Sequence, residues 1–396
     1  MKVLIGVSGG VDSSVAAAML KKQGYDVTGV FLLTRNYTEK EQSDAEDVRN
    51  ICEILDIPLK IIDARKGFRD SVVKYFLDEY GAGRTPNPCV FCNENFKFKI
   101  LFEIADEIGA DYVATGHYAR IISNSPNCLI SNKIPNSKFK IPNKFKIQDS
   151  PPRADQPMAE KLKTIHKLFV AKDEDKDQSY FLYRLKQGQL KKIIFPLGEY
   201  RKIEVRAIAK KIGLPVSGKK ESQDVCFLRG SSPEEFLRKN LKMKKGTITD
   251  IQGNVLGGHL GLSPYTIGQR KGIKIGGIGP YYVIARDFEK NVLVVSNKKA
   301  EVALYSKKAK IEKVSWVASA EPTFPLKTLV RTRYRNPLVC AIVKKKEETC
   351  LPARQGRKKK EEYEVEFEKA ERAVTAGQSI VFYSSEGEVI GGGIIG

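Results

Sequence analysis

The sequence predicts an α/β protein with an N-terminal doubly wound parallel sheet, a small central α+β domain and a C-terminal antiparallel β-barrel. Strand-like and helix-like segments alternate through residues 1–115, as in a parallel sheet covered by helices on both faces. After Ser217 the chain becomes rich in glycine and in short strand patterns. Its end reads as strands joined by polar turns, which is typical of a barrel. We expect three domains, which comprise residues 1–218, 219–303 and 304–396.

The elements of the first domain follow from the spacing of apolar residues. Short apolar runs bounded by turn residues indicate buried strands, whereas apolar residues three and four apart indicate helices. The expected strands are 2–7, 25–33, 58–64 and 111–119, and the expected helices are 11–24, 41–55 and 96–110.

Residues 123–167 differ in composition from their surroundings. They contain the tandem repeat "IPNSKFKIPNKFKI", and no Asp or Glu occurs from Tyr112 to Gln148. We expect a basic, largely irregular insertion. It is either a solvated surface segment or a supporting RNA contact.

Charge and cysteine content narrow the class of protein. Lys and Arg number 68 against 47 Asp and Glu, which gives a net charge of +21 over 396 residues. Such an excess favours a polyanionic partner, although a lysine-rich composition would also produce it. The chain has no apolar run long enough to span a membrane and no signal-peptide pattern at Met1, so we expect a cytoplasmic protein. Seven cysteines in such a chain favour reactive or metal-bound thiols over a disulfide scaffold.

The segment "GVSGGVDSS", residues 6–14, has the features of a phosphate-binding loop. It follows a strand and opens a helix, where free N–H groups and the helix dipole favour an anion. Gly9 and Gly10 allow a tight turn and a close approach to a ligand. No Gly-Lys-Ser/Thr follows, so this is not a Walker A loop. The candidate ligand-binding residues are Gly6, Val7, Ser8, Gly9, Gly10, Val11, Asp12, Ser13 and Ser14.

The six residues S-G-G-V-D-S resemble the pyrophosphate loop of the ATP pyrophosphatases, the PP-loop enzymes. Members of that superfamily have a Rossmann-like domain and cleave ATP between the α and β phosphates, which leaves AMP on an oxygen atom. The resemblance implies ATP and Mg²⁺ as cofactors. It also implies that Asp12 helps to hold the magnesium–pyrophosphate unit.

Two cysteines lie in "RTPNPCVFCNENFKF", a stretch that we expect to be a loop. Cys89 and Cys92 form a CxxC pair, which by itself could be a metal clamp, a redox disulfide or a sulfur-handling centre. Zinc is poorly supported, because it needs four ligands and the chain has no second CxxC. A third candidate thiol is Cys226, in "KKESQDVCFL".

Several segments in the same order give the chain a more specific resemblance. They are "GRTPNP" followed by "CN", then "DYVATGHYAR", "DKDQSYFL", "GLSPYTIGQRKG" and "RYR". Together they resemble the tRNA-specific 2-thiouridylases, which replace the 2-carbonyl oxygen of a wobble uridine by sulfur. The likeness covers nearly the whole chain apart from the insertion. It implies a monomer that acts on the tRNA anticodon loop and takes sulfur from a cysteine desulfurase, a relay protein or free sulfide.

The resemblance also implies roles for individual residues. Cys92 matches the catalytic cysteine of the family, and Cys226 matches the cysteine that carries a persulfide or pairs with the first in a disulfide. The other matches comprise the target-base contacts Asn87, Pro88 and Cys89, the ATP contacts Leu32 and Gly116, and the tRNA contacts Lys176, Asp177, Gln178, Arg333 and Tyr334.

Cys89 departs from the commonest family pattern, which has Asp at this position. A carboxylate's acid–base role therefore cannot be carried over. Cys89, Cys92 and Cys226 instead supply three thiolates, which suit a [4Fe–4S] cluster with one iron open to exogenous sulfide. We favour this cluster over a pure persulfide cycle. Both routes require Cys92 and Cys226, but only the cluster requires Cys89.

Two further features are open to more than one interpretation. "VRTRYRNP" would place Arg331, Arg333 and Arg335 on one face of a strand, as a row suited to phosphates or as an ordinary charged surface. His117 would end a strand at the ligand-binding edge of the sheet. It could serve the site or make a local hydrogen bond.

Other functions remain open from the residues alone. Another PP-loop ligase or thiolase acting on a different substrate would use the phosphate loop but not the thiols. A non-catalytic, redox-sensitive tRNA-binding protein would use the thiols and the charge but not the loop.

Overall fold

The computed structural model describes residues 1–34, 39–123, 164–219, 225–228, 231–273, 275–276, 280–298, 301–346 and 361–396. Most of the insertion predicted at 123–167 therefore lies outside the described residues, as do Cys128 and Cys350. Among the helices described, none is long and apolar enough to cross a membrane.

The first domain is a parallel sheet with helices packed on it, as predicted. Its five strands run in the order β3-β2-β1-β4-β7, and every pairing is parallel. Buried aliphatic side chains such as Leu4, Ile5 and Val30 are fully enclosed between the sheet and its helices. The strands up to the end of this sheet are β1 (Lys2–Gly6), β2 (Asp26–Leu33), β3 (Leu59–Asp63), β4 (Tyr112–Thr115), β5 (Arg120–Ser123), β6 (His166–Phe169) and β7 (Ile193–Ile194).

The helices of this domain are α1 (Val11–Lys22), α2 (Glu39–Ile54), α3 (Arg65–Phe68), α4 (Lys74–Gly81), α5 (Pro88–Cys92), α6 (Phe98–Glu107), α7 (Gln187–Leu190) and α8 (Lys202–Lys211). A π turn over Arg69–Val73 joins α3 to α4, and another over Asn93–Lys97 joins α5 to α6. Each pair is thus one continuous helix with a local expansion, a feature that often marks a functional site.

Three local expectations differ from the structure. The helix expected at 96–110 begins at Pro88, because Asn87 caps it and proline suits its first turn. The strand expected at 111–119 ends at Thr115 as β4, and β5 begins only at Arg120 and belongs to a different sheet. Both ends of the expected insertion are ordered, since Ser123 pairs with His166 across the β5–β6 hairpin.

The central part contains α9 (Pro233–Asn240) and a four-stranded sheet in the order β10-β11-β8-β9. Its strands are β8 (Gly246–Thr249), β9 (Val255–His259), β10 (Tyr282–Asp287) and β11 (Val292–Ser296). The expected α+β character is therefore confirmed.

The C-terminal part is an antiparallel barrel, as predicted. Its strands run in the order β12-β15-β14-β13-β16-β17, and β12 pairs with β17 to close the barrel. The β5–β6 hairpin continues this sheet, because β6 pairs with β17. The first domain is thus joined to the barrel by main-chain hydrogen bonds. The barrel strands are β12 (Tyr305–Trp316), β13 (Leu326–Arg331), β14 (Val339–Lys346), β15 (Glu362–Arg372), β16 (Ser379–Tyr383) and β17 (Glu388–Ile395).

Candidate active site

The predicted phosphate loop joins β1 to α1 at the carboxyl edge of the parallel sheet. Gly9 has φ +67°, a conformation that glycine adopts without strain. Two serines stabilise the turn from within: the Ser13 hydroxyl accepts a hydrogen bond from the Ser8 N–H (3.1 Å), and the Ser14 hydroxyl donates to the Gly10 carbonyl (2.8 Å). Both serines are buried. Their hydroxyls therefore shape the loop, which leaves main-chain N–H groups at the start of α1 as the donors suited to an anion.

Asp12, the only acid in the loop, is held by two residues that the sequence did not suggest. The Lys202 ammonium lies 2.6 and 2.7 Å from its two carboxylate oxygens, and the Tyr118 hydroxyl donates to Oδ1 at 2.8 Å. Lys202 stands at the start of α8, where its own N–H donates to Asp173 (2.7 Å). The side chain of Lys202 is 11% exposed and that of Asp12 33%. Asp12 is thus held in position by both neighbours.

A second lysine, Lys219, contacts the loop from the segment that follows α8. The Lys219 ammonium donates to the Gly9 carbonyl (3.0 Å) and lies 2.7 Å from carboxylate oxygens of both Asp44 and Asp47 on α2. Lys219 thereby joins the loop to α2. It is also seven positions before Cys226 in the chain.

The two predicted ATP contacts outside the loop lie at the ends of β2 and β4, the two strands that flank β1 in the sheet. Gly116 follows β4, and a Cβ there would lie 2.7 Å from the Ser13 nitrogen, so only glycine allows this close approach. Leu32, near the end of β2, packs against the cluster that contains Cys92 and Phe227.

His117 makes a local hydrogen bond with the Thr115 hydroxyl (2.7 Å), and burial lowers its pKa well below the usual value.

Cys89 and Cys92 lie on the first helical turn after Pro88, not in a loop as expected. The Asn87 side chain caps this helix by accepting from the Val90 N–H (3.3 Å). Both cysteines are half-buried. Burial, together with the nearby thiols of Cys226 and Cys92, raises the pKa of Cys89 to about 12. Burial raises the pKa of Cys92 to about 11, although the Lys97 charge opposes this shift.

Cys226 is brought to this pair by its neighbour in sequence. It begins a short 3₁₀ turn (Cys226–Leu228) and is exposed. The next ring, Phe227, packs among Phe68, Phe76 and Phe236, with centroids 5.1–6.0 Å apart. These aromatic contacts fix the turn beside the CxxC helix. The three thiols predicted to act together are therefore close enough for the charge of one to affect the pKa of another.

The predicted [4Fe–4S] cluster depends on the state and on the arrangement of the three thiols. Cys89, Cys92 and Cys226 are all free thiols. Within the described ranges, no group of three or more His, Cys, Asp or Glu side chains is spaced to hold a metal ion. The donor chemistry of the three thiols suits a [4Fe–4S] cluster, which stays a prediction.

The two predicted tRNA contacts, far apart in sequence, are neighbours in space. The turn at 176–178 leads into Phe181, whose ring packs against Tyr334 (centroids 4.5 Å apart). Asp177 is buried and accepts hydrogen bonds from Ala171 and from the N–H and hydroxyl of Ser179. Gln178 binds the main chain of Tyr118 through both its N–H and its side-chain oxygen. Asp177 and Gln178 thus stabilise the surface that the prediction assigns to tRNA.

The predicted row of three arginines does not form. β13 ends at Arg331, and a turn follows in which the Asn336 N–H donates to the Arg333 carbonyl and Arg335 has φ +66°. The alternation of side chains between the two faces of β13 therefore ends at Arg331, and Arg333 and Arg335 lie beyond the strand. The Arg331 guanidinium lies 3.5 Å from the buried Asp177, and that of Arg335 lies over the Tyr334 ring. Arg333 lines a cavity together with residues of the first and central domains.

Sequence reasoning missed Lys202 and Lys219. Both stand in lysine-rich stretches, "EYRKIEVRAIAKK" and "SGKK", where nothing distinguishes a buried lysine from a solvated one. Tyr118 lies in the quoted segment "DYVATGHYAR", but its partner Asp12 is 106 positions away.

Three family models match successive parts of the chain. Their descriptions are "tRNA methyl transferase HUP domain" (residues 1–230), "tRNA methyl transferase PRC-barrel domain" (234–297) and "Aminomethyltransferase beta-barrel domain" (306–395). Among curated proteins, the "tRNA-specific 2-thiouridylase MnmA" of Geobacillus thermodenitrificans is 39% identical over 402 residues, which cover 100% of this chain and 94% of that protein. The protein of the same name from Roseiflexus castenholzii is 39% identical over 405 residues, with 100% and 99% covered.

This chain belongs to the tRNA-specific 2-thiouridylase family. The expectation drawn from its segments is therefore confirmed at the level of family. A solved "4-thiouridine synthetase - RNA complex with bound ATP" is 19% identical over 60% of this chain and 49% of that chain, with a TM-score of 0.36. That likeness is too low to bear on the site.

Proposed function

We propose that this protein is an ATP-dependent sulfurtransferase that converts the wobble uridine of tRNA to 2-thiouridine. The observation that carries this proposal is a phosphate loop at the carboxyl edge of the sheet together with three grouped thiols, of which Cys92 packs in the same cluster as Leu32 near the end of β2. Curated relatives that span the whole chain are named as thiouridylases. The strongly positive chain, at +21, suits an RNA substrate.

The first step is adenylation of the uridine. Its 2-oxygen attacks the α-phosphate of ATP, the bond to the β-phosphate breaks, and pyrophosphate leaves. The N–H groups at the start of α1 bind the phosphates, and the loop's glycines allow their close approach. Mg²⁺ would enter with ATP, and Asp12 would hold it after exchanging partners with Lys202. The ion supplies charge neutralisation of the phosphates when bound.

The second step replaces AMP by sulfur. The terminal sulfur of a persulfide on Cys226 attacks C2, and AMP leaves with the former uridine oxygen. The Cys92 thiolate then attacks the Sγ atom of Cys226, which releases 2-thiouridine and leaves a Cys92–Cys226 disulfide. A cellular dithiol reduces that disulfide, and a sulfur donor such as a desulfurase reloads Cys226. Exposure of Cys226 suits reloading, whereas the half-buried Cys92 suits a resolving role.

A cluster at the three thiols would supply sulfide bound to an open iron. The steps above use the thiols alone, because both routes require Cys92 and Cys226. The two routes differ in their need for Cys89. They can be separated by measuring iron and acid-labile sulfide in anaerobically prepared wild type and in Cys89→Ala. Cys340→Ala, at a half-buried thiol on β14, serves as the matched control.

We expect wild type to release pyrophosphate only when both ATP and tRNA are present, and to form 2-thiouridine when a sulfur donor is added. Cys226→Ser should still release pyrophosphate but form no thiouridine, because adenylation does not use the thiol. Pyrophosphate release without tRNA would indicate a ligase for a different substrate. No release with tRNA would indicate a non-catalytic binder. A full complement of about four irons that is lost in Cys89→Ala but not in Cys340→Ala would overturn the thiol route.

A further inference from the structure

Lys97 is a half-buried lysine that has no part in the two steps proposed for the reaction. It is the last residue of the π turn Asn93–Lys97, which directly follows Cys92. Such turns occur frequently at functional sites. The Lys97 N–H donates a hydrogen bond to the Cys92 thiol. The main chain of Lys97 is therefore in contact with one of the candidate nucleophiles.

The two neighbours of Lys97 in the chain pack on different parts of the site. Phe96 is buried in the cluster against which Cys92 packs. Phe98 is fully buried, and its ring stacks on that of His117 with the centroids 6.1 Å apart. His117 directly follows the glycine that packs against the start of α1. Lys97 thus lies between a residue packed beside the thiols and a residue packed beside the phosphate loop.

The ammonium of Lys97 acts on groups of both parts. Burial raises the pKa of Cys92, and the Lys97 charge opposes that shift. Burial lowers the pKa of His117 well below its usual value, and the Lys97 charge adds to that shift. Because the interaction between charges weakens with distance, the same ammonium lies near the Cys92 thiol and near the carboxyl edge of the sheet.

The charge of Lys97 is not neutralised by a carboxylate. Its ammonium makes no hydrogen bond or ion pair with another described residue. Glu94, the acid nearest to it in sequence, pairs with Arg184. Lys202 and Lys219, the other lysines described at this site, are paired with Asp side chains. Lys97 therefore has a positive charge that is available to an incoming anion, and a partly buried cation gains more from such a partner than a solvated one does.

The α-phosphate is the anion that this position suits. Before the first step it is bonded to the pyrophosphate group, which the phosphate loop binds in the proposed reaction. After that step it is bonded to the uridine oxygen, next to the carbon that sulfur attacks. A group on the α-phosphate must therefore lie between the loop and the thiols, where Lys97 stands.

We propose that Lys97 is a further catalytic residue, whose ammonium contacts the α-phosphate in both steps. This role rests on the proposed function. In the first step the uridine oxygen bonds to the α-phosphorus and the bond to pyrophosphate breaks, while negative charge increases around the phosphorus and is stabilised by the ammonium. In the second step the persulfide sulfur bonds to C2, and the C2–O bond breaks with its electron pair going to AMP. An anionic sulfur must then approach an anionic phosphate, and the ammonium between them offsets their repulsion.

The test compares full-length wild type with Lys97→Met, Lys97→Arg and Lys99→Met. Lys99 is the matched control, because it is an exposed cation two positions further along the chain. Dissociation constants are measured without tRNA for AMP, which has the α-phosphate, and for adenosine, which lacks it. The rates of pyrophosphate release and of 2-thiouridine formation are then measured with tRNA in a single turnover. Urea unfolding checks that each variant folds, and Lys97→Gln is used if Lys97→Met does not.

We expect Lys97→Met to bind AMP about tenfold more weakly than wild type, the value of one charged hydrogen-bonding contact. Its affinity for adenosine should be unchanged. Pyrophosphate release should slow about a hundredfold, as it does when one donor to a developing negative charge is removed. Lys97→Arg should keep the preference for AMP over adenosine, and Lys99→Met should match wild type in every measurement.

The proposal is overturned if Lys97→Met prefers AMP to adenosine as strongly as wild type does. An equal loss of affinity for both ligands would indicate a structural role and would also overturn it. So would unchanged pyrophosphate release with slower thiolation, because Lys97 would then act on the thiols alone. Absence of 2-thiouridine with wild type would refute the proposed function, whereas thiolation with an AMP preference that does not depend on Lys97 would refute the role of Lys97 alone.

Discussion

Replacement of Lys202 by Met should disturb the phosphate loop, although Lys202 is 190 positions from Asp12 in sequence. The substitution removes an ammonium that contacts both oxygens of Asp12, at 2.6 and 2.7 Å, and keeps the length of the side chain. The carboxylate then retains only the Tyr118 hydroxyl. A partly buried charge is thus left without its counter-charge.

The magnitude follows from the burial of the two groups. Lys202 is nearly enclosed, at 11% exposure, whereas a third of the Asp12 side chain is exposed, so the loss falls between those of surface and buried ion pairs. We expect about 2 kcal/mol less free energy of unfolding for Lys202→Met. For a domain of this size, that loss lowers the unfolding midpoint by roughly 4–8 °C. Asp12→Asn should lower the free energy of unfolding by a similar amount. The double variant should cost less than the sum of the two by about 1–2 kcal/mol.

The assay is a double-mutant cycle on urea unfolding, combined with tRNA-dependent pyrophosphate release. Release should fall by about a hundredfold in Lys202→Met, because a displaced Asp12 no longer aligns the phosphates. Lys211→Met, an exposed position on the same helix, controls for the loss of one positive charge. Strictly additive unfolding energies, or release equal to that of Lys211→Met, would refute the reasoning.

Three further predictions concern the same site. The rate of alkylation of Cys92 should rise about tenfold per pH unit, without a plateau below pH 11, because the raised pKa of Cys92 keeps its thiol protonated. A plateau of the rate near pH 8.5 would contradict this prediction. Gly116→Ala should lower the free energy of unfolding by about 1–3 kcal/mol and weaken binding of an ATP analogue, since the new Cβ would meet the Ser13 nitrogen at 2.7 Å. Gly188→Ala is the control and should change neither quantity, because there is open space around Gly188. Lys219→Met should weaken binding of the same analogue more than Lys210→Met does, because only Lys219 contacts the Gly9 carbonyl; equal affinities would show that this contact has no role.

The sequence by itself predicted features that depend on neighbouring residues. β1, β2 and β3 and the glycine turn after β1 appear where their local pattern placed them, because main-chain hydrogen bonding and burial repeat over a few residues. Errors occurred where a local signal was weak. The cap at Asn87 extended a helix over Cys89 and Cys92, and the turn after Arg331 ended a strand that alternation alone would have continued.

The three thiols show the limit of sequence reasoning most clearly. Their residue types and the family resemblance selected Cys89, Cys92 and Cys226, but only the packing of Phe227 among other rings brings the third thiol to the pair. Burial is the main reason why the pKa values of Cys89 and Cys92 are raised, and the CxxC spacing does not reveal that burial.

The sequence thus determined the class of fold, the phosphate loop and the identity of the candidate nucleophiles, all of which depend on residue type and short-range pattern. Tertiary structure decided which charges meet. Lys202 reaches Asp12 across 190 positions, and Arg331 reaches Asp177 across 154. Such pairs depend on how helices and domains pack, since a lysine or arginine has the same local pattern whether it is solvated, paired or left without a partner.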